Sequence, residues 1–202
     1  MGTENRNAAL QVAQTSRIMA IWQEHIELAK ATMKLAPEIS RAVALIYASM
    51  KEGGQLLVGG NGGSAADAQH FAAELTGRFL LERKPLRAIT LHGNTSALTA
   101  IANDYGFEEV FAREVAAQAR AGDVLLAIST SGNSKNILRA IDTARDRQVR
   151  IIGFTGQSGG KMKRLCDLCL CVPSRSTARI QEMHTTIGHI VCELLEEQLA
   201  NE

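Results

Sequence analysis

One rhythm constrains this chain more than any other feature. Between residues 55 and 172, five short unbroken apolar runs alternate with helical stretches and with turns rich in glycine or serine. The runs are Gln-Leu-Leu-Val-Gly at 55–59, Arg-Ala-Ile-Thr-Leu at 87–91, Asp-Val-Leu-Leu-Ala-Ile at 123–128, Arg-Ile-Ile-Gly-Phe at 150–154 and Leu-Cys-Leu-Cys-Val at 168–172. A strand with one wet face alternates apolar and polar residues, whereas an unbroken run suits a strand covered on both faces. Parallel strands also need crossovers of a dozen or more residues, usually helical. The pattern therefore predicts an α/β, doubly wound fold: a five-stranded parallel sheet flanked by helices. Helices are expected over 64–78, 95–102, 108–121, 135–147 and 179–199, with a short one after Gly160.

Ahead of this rhythm lie two more helices. Apolar residues recur at near-helical spacing from Ala8 to Leu35 (Ile18, Trp22, Ile26, Leu28, Met33). Pro37 interrupts the pattern, and a second helix runs over 38–51 to Gly53-Gly54. Residues 1–36 form a helical segment and 37–202 the body of one domain, as 202 residues allow. The two helices exceed what a five-stranded layer needs, so they form either an extra layer or a contact with another subunit. The second option predicts an oligomer, with residues 1–36 as its interface.

Charge and composition remove several function classes. Lys and Arg number 22 against 21 Asp and Glu, and a net charge of +1 gives no reason to expect nucleic acid or an anionic membrane. Aromatics are 4 % and scattered, which argues against a base-stacking platform. No apolar stretch reaches the 18 or more residues of a spanning helix, and no signal-like region is visible. Of the four cysteines, Cys166 and Cys169 form a Cys-x-x-Cys, but no second pair or nearby histidine completes a zinc set. Cys166, Cys169 and Cys171 are read as packing in a buried strand, and a reducing cytoplasm is expected.

Ligands of open parallel sheets bind beyond the carboxyl ends of the strands. Two turns there are chemically loaded. Gly59-Gly60-Asn61-Gly62-Gly63-Ser64 lets backbone N–H groups approach a ligand ahead of a helix N-terminus. Ser129-Thr130-Ser131-Gly132-Asn133-Ser134 offers four hydroxyls, each able to donate to a phosphate oxygen. Each alone is adequately explained as a tight turn with a helix cap at Ser64 or Ser134. Two in one sheet favour phosphate binding. Gly60-x-Gly62-x-x-Ala65 matches the dinucleotide fingerprint, yet Leu91-His92-Gly93-Asn94 stands where an acidic residue should follow the second strand. Gly156-Gln-Ser-Gly-Gly-Lys161-Met162 is one residue short of a P-loop and ends in Met, and there is no Gly-x-Ser-x-Gly elbow.

Polar groups on two helices complete the pattern. His70 and Glu74 are four apart, about 40° round the axis, and share a face. On the last helix Gln181 and His189 are about 80° apart, and His184 lies about 60° to the other side of Gln181. Spacing does not choose between the two histidines. Imidazole and carboxylate donors suit zinc among other divalent metals, and equally an acid/base pair.

Several motifs together resemble the bacterial phosphoheptose (sedoheptulose-7-phosphate) isomerase family of the sugar isomerase (SIS) fold. They are Gly-Asn-Gly-Gly-Ser-Ala-Ala-Asp-Ala-Gln-His at 60–70, Glu-Leu-Thr-Gly-Arg at 74–78, Ala-Asn-Asp-Tyr-Gly-Phe at 102–107, Gly-Asp-Val-Leu-Leu-Ala-Ile-Ser-Thr-Ser-Gly-Asn-Ser at 122–134 and Arg-Ile-Gln-Glu-Met-His at 179–184. The resemblance covers about residues 40 to 199. It implies a homotetramer that converts sedoheptulose 7-phosphate to D-glycero-D-manno-heptose 7-phosphate, the first step toward the heptose of ADP-heptose and lipopolysaccharide. It implies one zinc ion per subunit held by His70, Glu74, Gln181 and His189, which settles the choice of histidine. It also implies sugar-phosphate contacts from Asn61, Gly62, Gly63, Ser64, Glu74, Asn103, Asp104, Ser129, Thr130, Ser131, Ser134 and Gln181, with Glu74 as base and His189 as acid. A non-enzymatic relative that binds the replication initiator DnaA shares the turns. It lacks the acid and the histidine at the positions of Glu74 and His189, both present here.

Overall fold

The computed structural model describes residues 2–200. In chain order the elements are α1 (Gly2–Thr32), α2 (Ala36–Lys51), β1 (Leu56–Gly59), α3 (Gly63–Thr76), β2 (Ala88–Thr90), α4 (Thr95–Tyr105), α5 (Val110–Gln118), β3 (Val124–Ile128), α6 (Lys135–Asp146), β4 (Arg150–Thr155), α7 (Met162–Leu165), β5 (Leu168–Cys171) and α8 (Thr177–Ala200). The five strands form one parallel sheet in the order β2-β1-β3-β4-β5, as the apolar runs predict. Pro37 opens α2 rather than merely ending α1. It falls in the first turn, where the N–H it lacks has no helical partner to lose.

Within each unbroken run the side chains part to opposite faces. Leu56, Val58, Val124, Leu126 and Ile128 join a core under α2, α3 and α8, while Leu57, Leu125 and Ala127 join a second core under α4, α5 and α6. Ile152 and Leu126 are fully buried, and truncating either to Ala costs about 2–5 kcal/mol. The edge strand β5 departs from the expected buried strand. Leu168 and Leu170 are buried, but Cys169 and Cys171 alternate with them and are only half-buried. All four cysteines are free thiols.

The long helix α1 lies outermost. His25 Nδ1 meets Glu182 Oε2 of α8 at 2.7 Å, and Leu28 enters the core. Further along, Ile18, Trp22 and Met33 are each more than half exposed, at 54 %, 59 % and 74 %. No helix among the described residues is long and apolar enough to cross a membrane.

Candidate active site

The strand order places a topological switch between β1 and β3, since the chain winds one way from β1 and the other from β3. A crevice opens at such a point, beyond the carboxyl ends of the strands. Both loaded turns sit there. After β1, Gly62 takes the cap position of α3 at φ 57°, so Ser64 lies buried in the first helical turn and is not the cap. After β3, Ser129 is buried with its Oγ 2.9 Å from Ser134 Oγ and 3.4 Å from Ser131 Oγ. Ser134 holds the cap position of α6, but its hydroxyl makes no bond to the helix N–H groups and pairs with Ser129. Gly132 (φ 66°) faces the backbone of Gly159 and Gly160 so closely that a Cβ would collide.

The two turns are joined. Asn61 Nδ2 donates to Asn136 Oδ1 at 2.9 Å, and Asn136 Nδ2 donates back to Asn61 Oδ1 at 2.8 Å. A cleft of about 440 Å³ adjoins the serine turn, lined by Thr130, Ser131, Asn133, Gln157, Ser174 and Arg175. Its size is that of a small-molecule site.

A third group of side chains comes from α3 and α8, which run side by side in parallel. Gly63 lies against the Gln181 amide, where a Cβ would stand 2.5 Å from Nε2. Thr185 Oγ1 donates to Asp67 Oδ1 at 2.8 Å, and Gly188 lies against Phe71. One step further, His70 Nε2 is 3.0 Å from Glu74 Oε1 and 3.3 Å from His189 Nε2. Ligand atoms of all three lie within 4.8 Å of one another, and Phe79 stacks on His189 at 5.3 Å between ring centres. Two imidazole nitrogens and one carboxylate oxygen are a donor set that fits a divalent metal such as zinc. Gln181 stands two helical turns before His189, at the Gly63 end of the row.

The two histidines that spacing left open differ in placement: His189 joins His70 and Glu74, and His184 does not. His184 is 2 % exposed, and its Nε2 lies 3.1 Å from the Thr155 carbonyl oxygen. Burial pushes its pKa down to about 4, with the hydrogen bond to Thr155 opposing. A histidine with a lowered folded pKa binds fewer protons than its unfolded form, so stability falls with pH below about 6.5 and levels off near pH 4. Thermal melts between pH 7 and 4.5 are expected to show this fall, and His184→Gln to flatten it. An unchanged slope in the variant counts against the assignment.

Asn103 and Asp104 lie a few residues before Glu108, whose Oε1 is 2.7 Å from Nζ of Lys135, the residue after the serine turn. They are exposed near the end of α4, where Asn103 Nδ2 donates to Asp104 Oδ1 at 2.8 Å. Leu98 and Ile101 of α4 pack on the opposite face of the sheet from α3 and α8.

Comparison with known proteins accords with this arrangement. Residues 23–156 match the model of the SIS domain. A phosphoheptose isomerase of Rhodospirillum rubrum is 55 % identical over 166 residues, covering 82 % of this chain and 88 % of that protein. The chain belongs to the phosphoheptose isomerase family. A second family member, from Helicobacter hepaticus, is 53 % identical over 174 residues, 86 % of this chain and 89 % of its own. The structure of phosphoheptose isomerase GmhA from Neisseria gonorrhoeae superposes with a TM-score of 0.87 at 44 % identity, covering 91 % of this chain and 99 % of that one. The phosphoheptose isomerase of Francisella tularensis gives 0.88 at 38 % identity, over 91 % and 98 %. Membership of this family makes the chain an isomerase, carried on the SIS fold that the strand rhythm predicts.

Several residues that shape the site carry no mark in the sequence: Asn136, Asp67 with Thr185, Arg175, and the buried pair Arg83 and Glu196. Arg83 Nε lies 3.1 Å from Glu196 Oε1, with side chains 4 % and 1 % exposed. Glu196 also accepts from the backbone N–H groups of Phe79, Leu80 and Leu81 at 2.7–2.9 Å.

Proposed function

We propose that the chain converts sedoheptulose 7-phosphate to D-glycero-D-manno-heptose 7-phosphate, the first step toward ADP-heptose and the lipopolysaccharide core, in the cytoplasm. The observation that carries this reading is the His70–Glu74–His189 cluster, formed where α3, the helix that leaves the glycine-rich turn, meets α8. Seven residues separate Gly63 from His70, about 10 Å along the helix axis. That is within the span of an extended seven-carbon sugar lying along α3 with its reacting carbons at the cluster.

In this reading the phosphate is held by Ser129, Thr130, Ser131 and Ser134, and the sugar by Asn61, Gly62, Gly63, Ser64 and Gln181. Glu74 takes a proton from C1, an enediol forms, and the same carboxyl returns the proton to C2. His189, in the form not bound to metal, gives a proton to the oxygen on C2 and takes back the one that the oxygen on C1 loses as the aldehyde forms. The donor set of His70, Glu74 and His189 would hold zinc, one ion per subunit, whereas Gln181, about 12 Å back along α8 with its amide against Gly63, stands too far from the cluster to be the fourth ligand within the same subunit. Bound there, a divalent cation supplies positive charge that stabilises negative charge on a substrate oxygen.

In this reading Asn103 and Asp104, near the end of α4, also contact the substrate. The exposed apolar residues of α1 support a homotetramer with residues 1–36 in the interface. Light scattering of the purified protein is expected to give four times the chain mass.

The direct test is turnover of sedoheptulose 7-phosphate by purified protein supplied with zinc; no product formation sinks the reading. Ser129→Ala is expected to raise KM by about 10–100-fold, the worth of one hydrogen bond to a charged group. An unaltered KM counts against the phosphate assignment.

A further inference from the structure

Behind the His70–His189 pair, between α3, α8 and the sheet, lies a small cavity with about 20 Å³ open to the centre of a water molecule. Asp67, His70, His184, Thr185 and His189 line it, together with apolar side chains that include Ile128 and Phe154. One ordered water needs roughly 10–15 Å³ by this measure and two to four polar partners. Two partners are conspicuous. Asp67 Oδ2 and His184 Nδ1 are both buried with no hydrogen-bond partner in the protein. His184 Nε2 faces a carbonyl oxygen, which only accepts, so its proton is on Nε2 and Nδ1 is a bare acceptor. Asp67 Oδ1 is already held by Thr185, and its Oδ2 is a second acceptor.

Two acceptors facing one cavity call for a molecule that donates twice. We propose that a single water occupies this cavity, donates to Asp67 Oδ2 and His184 Nδ1, and accepts from the Nδ1–H of His70, which makes Asp67 a positioning residue for that histidine. The hydrogen bonds close without conflict: two donated, one accepted, every buried atom satisfied. His70 turns Nε2 toward Glu74 and His189, so its other nitrogen is the one left for the cavity side. A proton fixed on Nδ1 leaves the Nε2 lone pair directed at the cluster, the form a metal ligand must take. Burial pushes the Asp67 carboxyl up from its ordinary value, while Thr185 and the nearby His70 pull it down. A water bonded to Oδ2 eases that cost of burial.

The role rests on His70 being a metal ligand, as proposed above. Zinc alone is the probe, with affinity measured by competition against a chromophoric chelator. Asp67→Asn keeps the acceptor for Thr185 and removes the charge. It is expected to bind zinc about 10–100-fold more weakly, the usual effect of losing a partner that orients a ligand, with its melting temperature retained. Thr185→Val, which frees the carboxylate to swing, is expected to weaken zinc binding less. A crystal structure at high resolution should show the water between Asp67 and His184. Wild-type affinity in Asp67→Asn, with zinc binding lost in His70→Ala, overturns the positioning role and spares the metal site. Wild-type affinity in both variants overturns both. A dry cavity overturns the water.

Discussion

Glu74→Gln is expected to lower kcat by about 10²–10⁴-fold, the usual contribution of a positioned general base. That loss corresponds to about 3–5.5 kcal/mol of transition-state stabilisation. Gln keeps the length of the side chain and an oxygen at the place of Glu74 Oε1, which lies 3.0 Å from His70 Nε2. It cannot take a proton from carbon. Folding is expected to survive, because the carboxylate is partly exposed and its partner, at 45 % exposure, more so. Exposed pairs of this kind contribute about 0–1 kcal/mol. Zinc content should be measured on the same preparation. A variant that keeps its zinc and loses turnover isolates the base. A variant that loses both, and recovers turnover when saturated with zinc, assigns Glu74 to the metal alone. Full activity without added metal refutes the role.

The largest expected effect on stability falls on Glu196. Glu196→Ala leaves the Arg83 guanidinium buried without a counter-charge and three backbone N–H groups without an acceptor. Breaking a buried pair in this way costs about 3–5 kcal/mol. The damage is expected to travel to the active site. Arg83 also donates to the carbonyls of Glu74 (2.7 Å), Leu75 (2.8 Å) and Gly77 (3.1 Å), the last turn of α3 and its exit. Phe79, held by Glu196 through its N–H, is the ring that stacks on His189. Burial raises the Glu196 carboxyl, but the three N–H groups and Arg83 outweigh it and hold the pKa below the ordinary value. A carboxylate with a depressed folded pKa stabilises above its unfolded pKa of about 4.3, and that stability is lost as pH falls through the folded value. Urea midpoints should therefore drop for Glu196→Ala at pH 7, and the gap to wild type should narrow in acid. An unfolding free energy within about 0.5 kcal/mol of wild type at pH 7, on the ordinary scale of surface substitutions, refutes the clamp.

Most strand positions were legible because a doubly covered parallel strand writes its burial locally. The run 124–128 is apolar at every position, and the strand is those five residues. Helix ends were legible to a residue or two where proline or glycine marked them, as at Pro37. The serine caps were half right: Ser134 sits at its cap, whereas Gly62 takes the place read for Ser64, because a backbone at positive φ closes the turn one residue earlier. The metal candidates were legible only in part. His70 and Glu74 share a helix face, which spacing shows, but the choice of His189 over His184 depends on which side of α8 meets the sheet. No local spacing encodes the Asn61–Asn136 pair or the Arg83–Glu196 pair, whose members lie 75 and 113 residues apart and meet only once the sheet is assembled.

The row of partners along α3 and α8 has a consequence for how this enzyme can change. Gly63 with Gln181, Asp67 with Thr185 and Phe71 with Gly188 are rungs about one helical turn apart, ending at His70 and His189. Exchanging one rung is a local event. Inserting or deleting one residue between 181 and 189 turns everything beyond it by about 100° and shifts it by about 1.5 Å. His189 then leaves His70, and Ile187 and Val191 leave the core together. Lineages of this protein can therefore vary these helices by substitution, while changes of length are confined to the loops outside them.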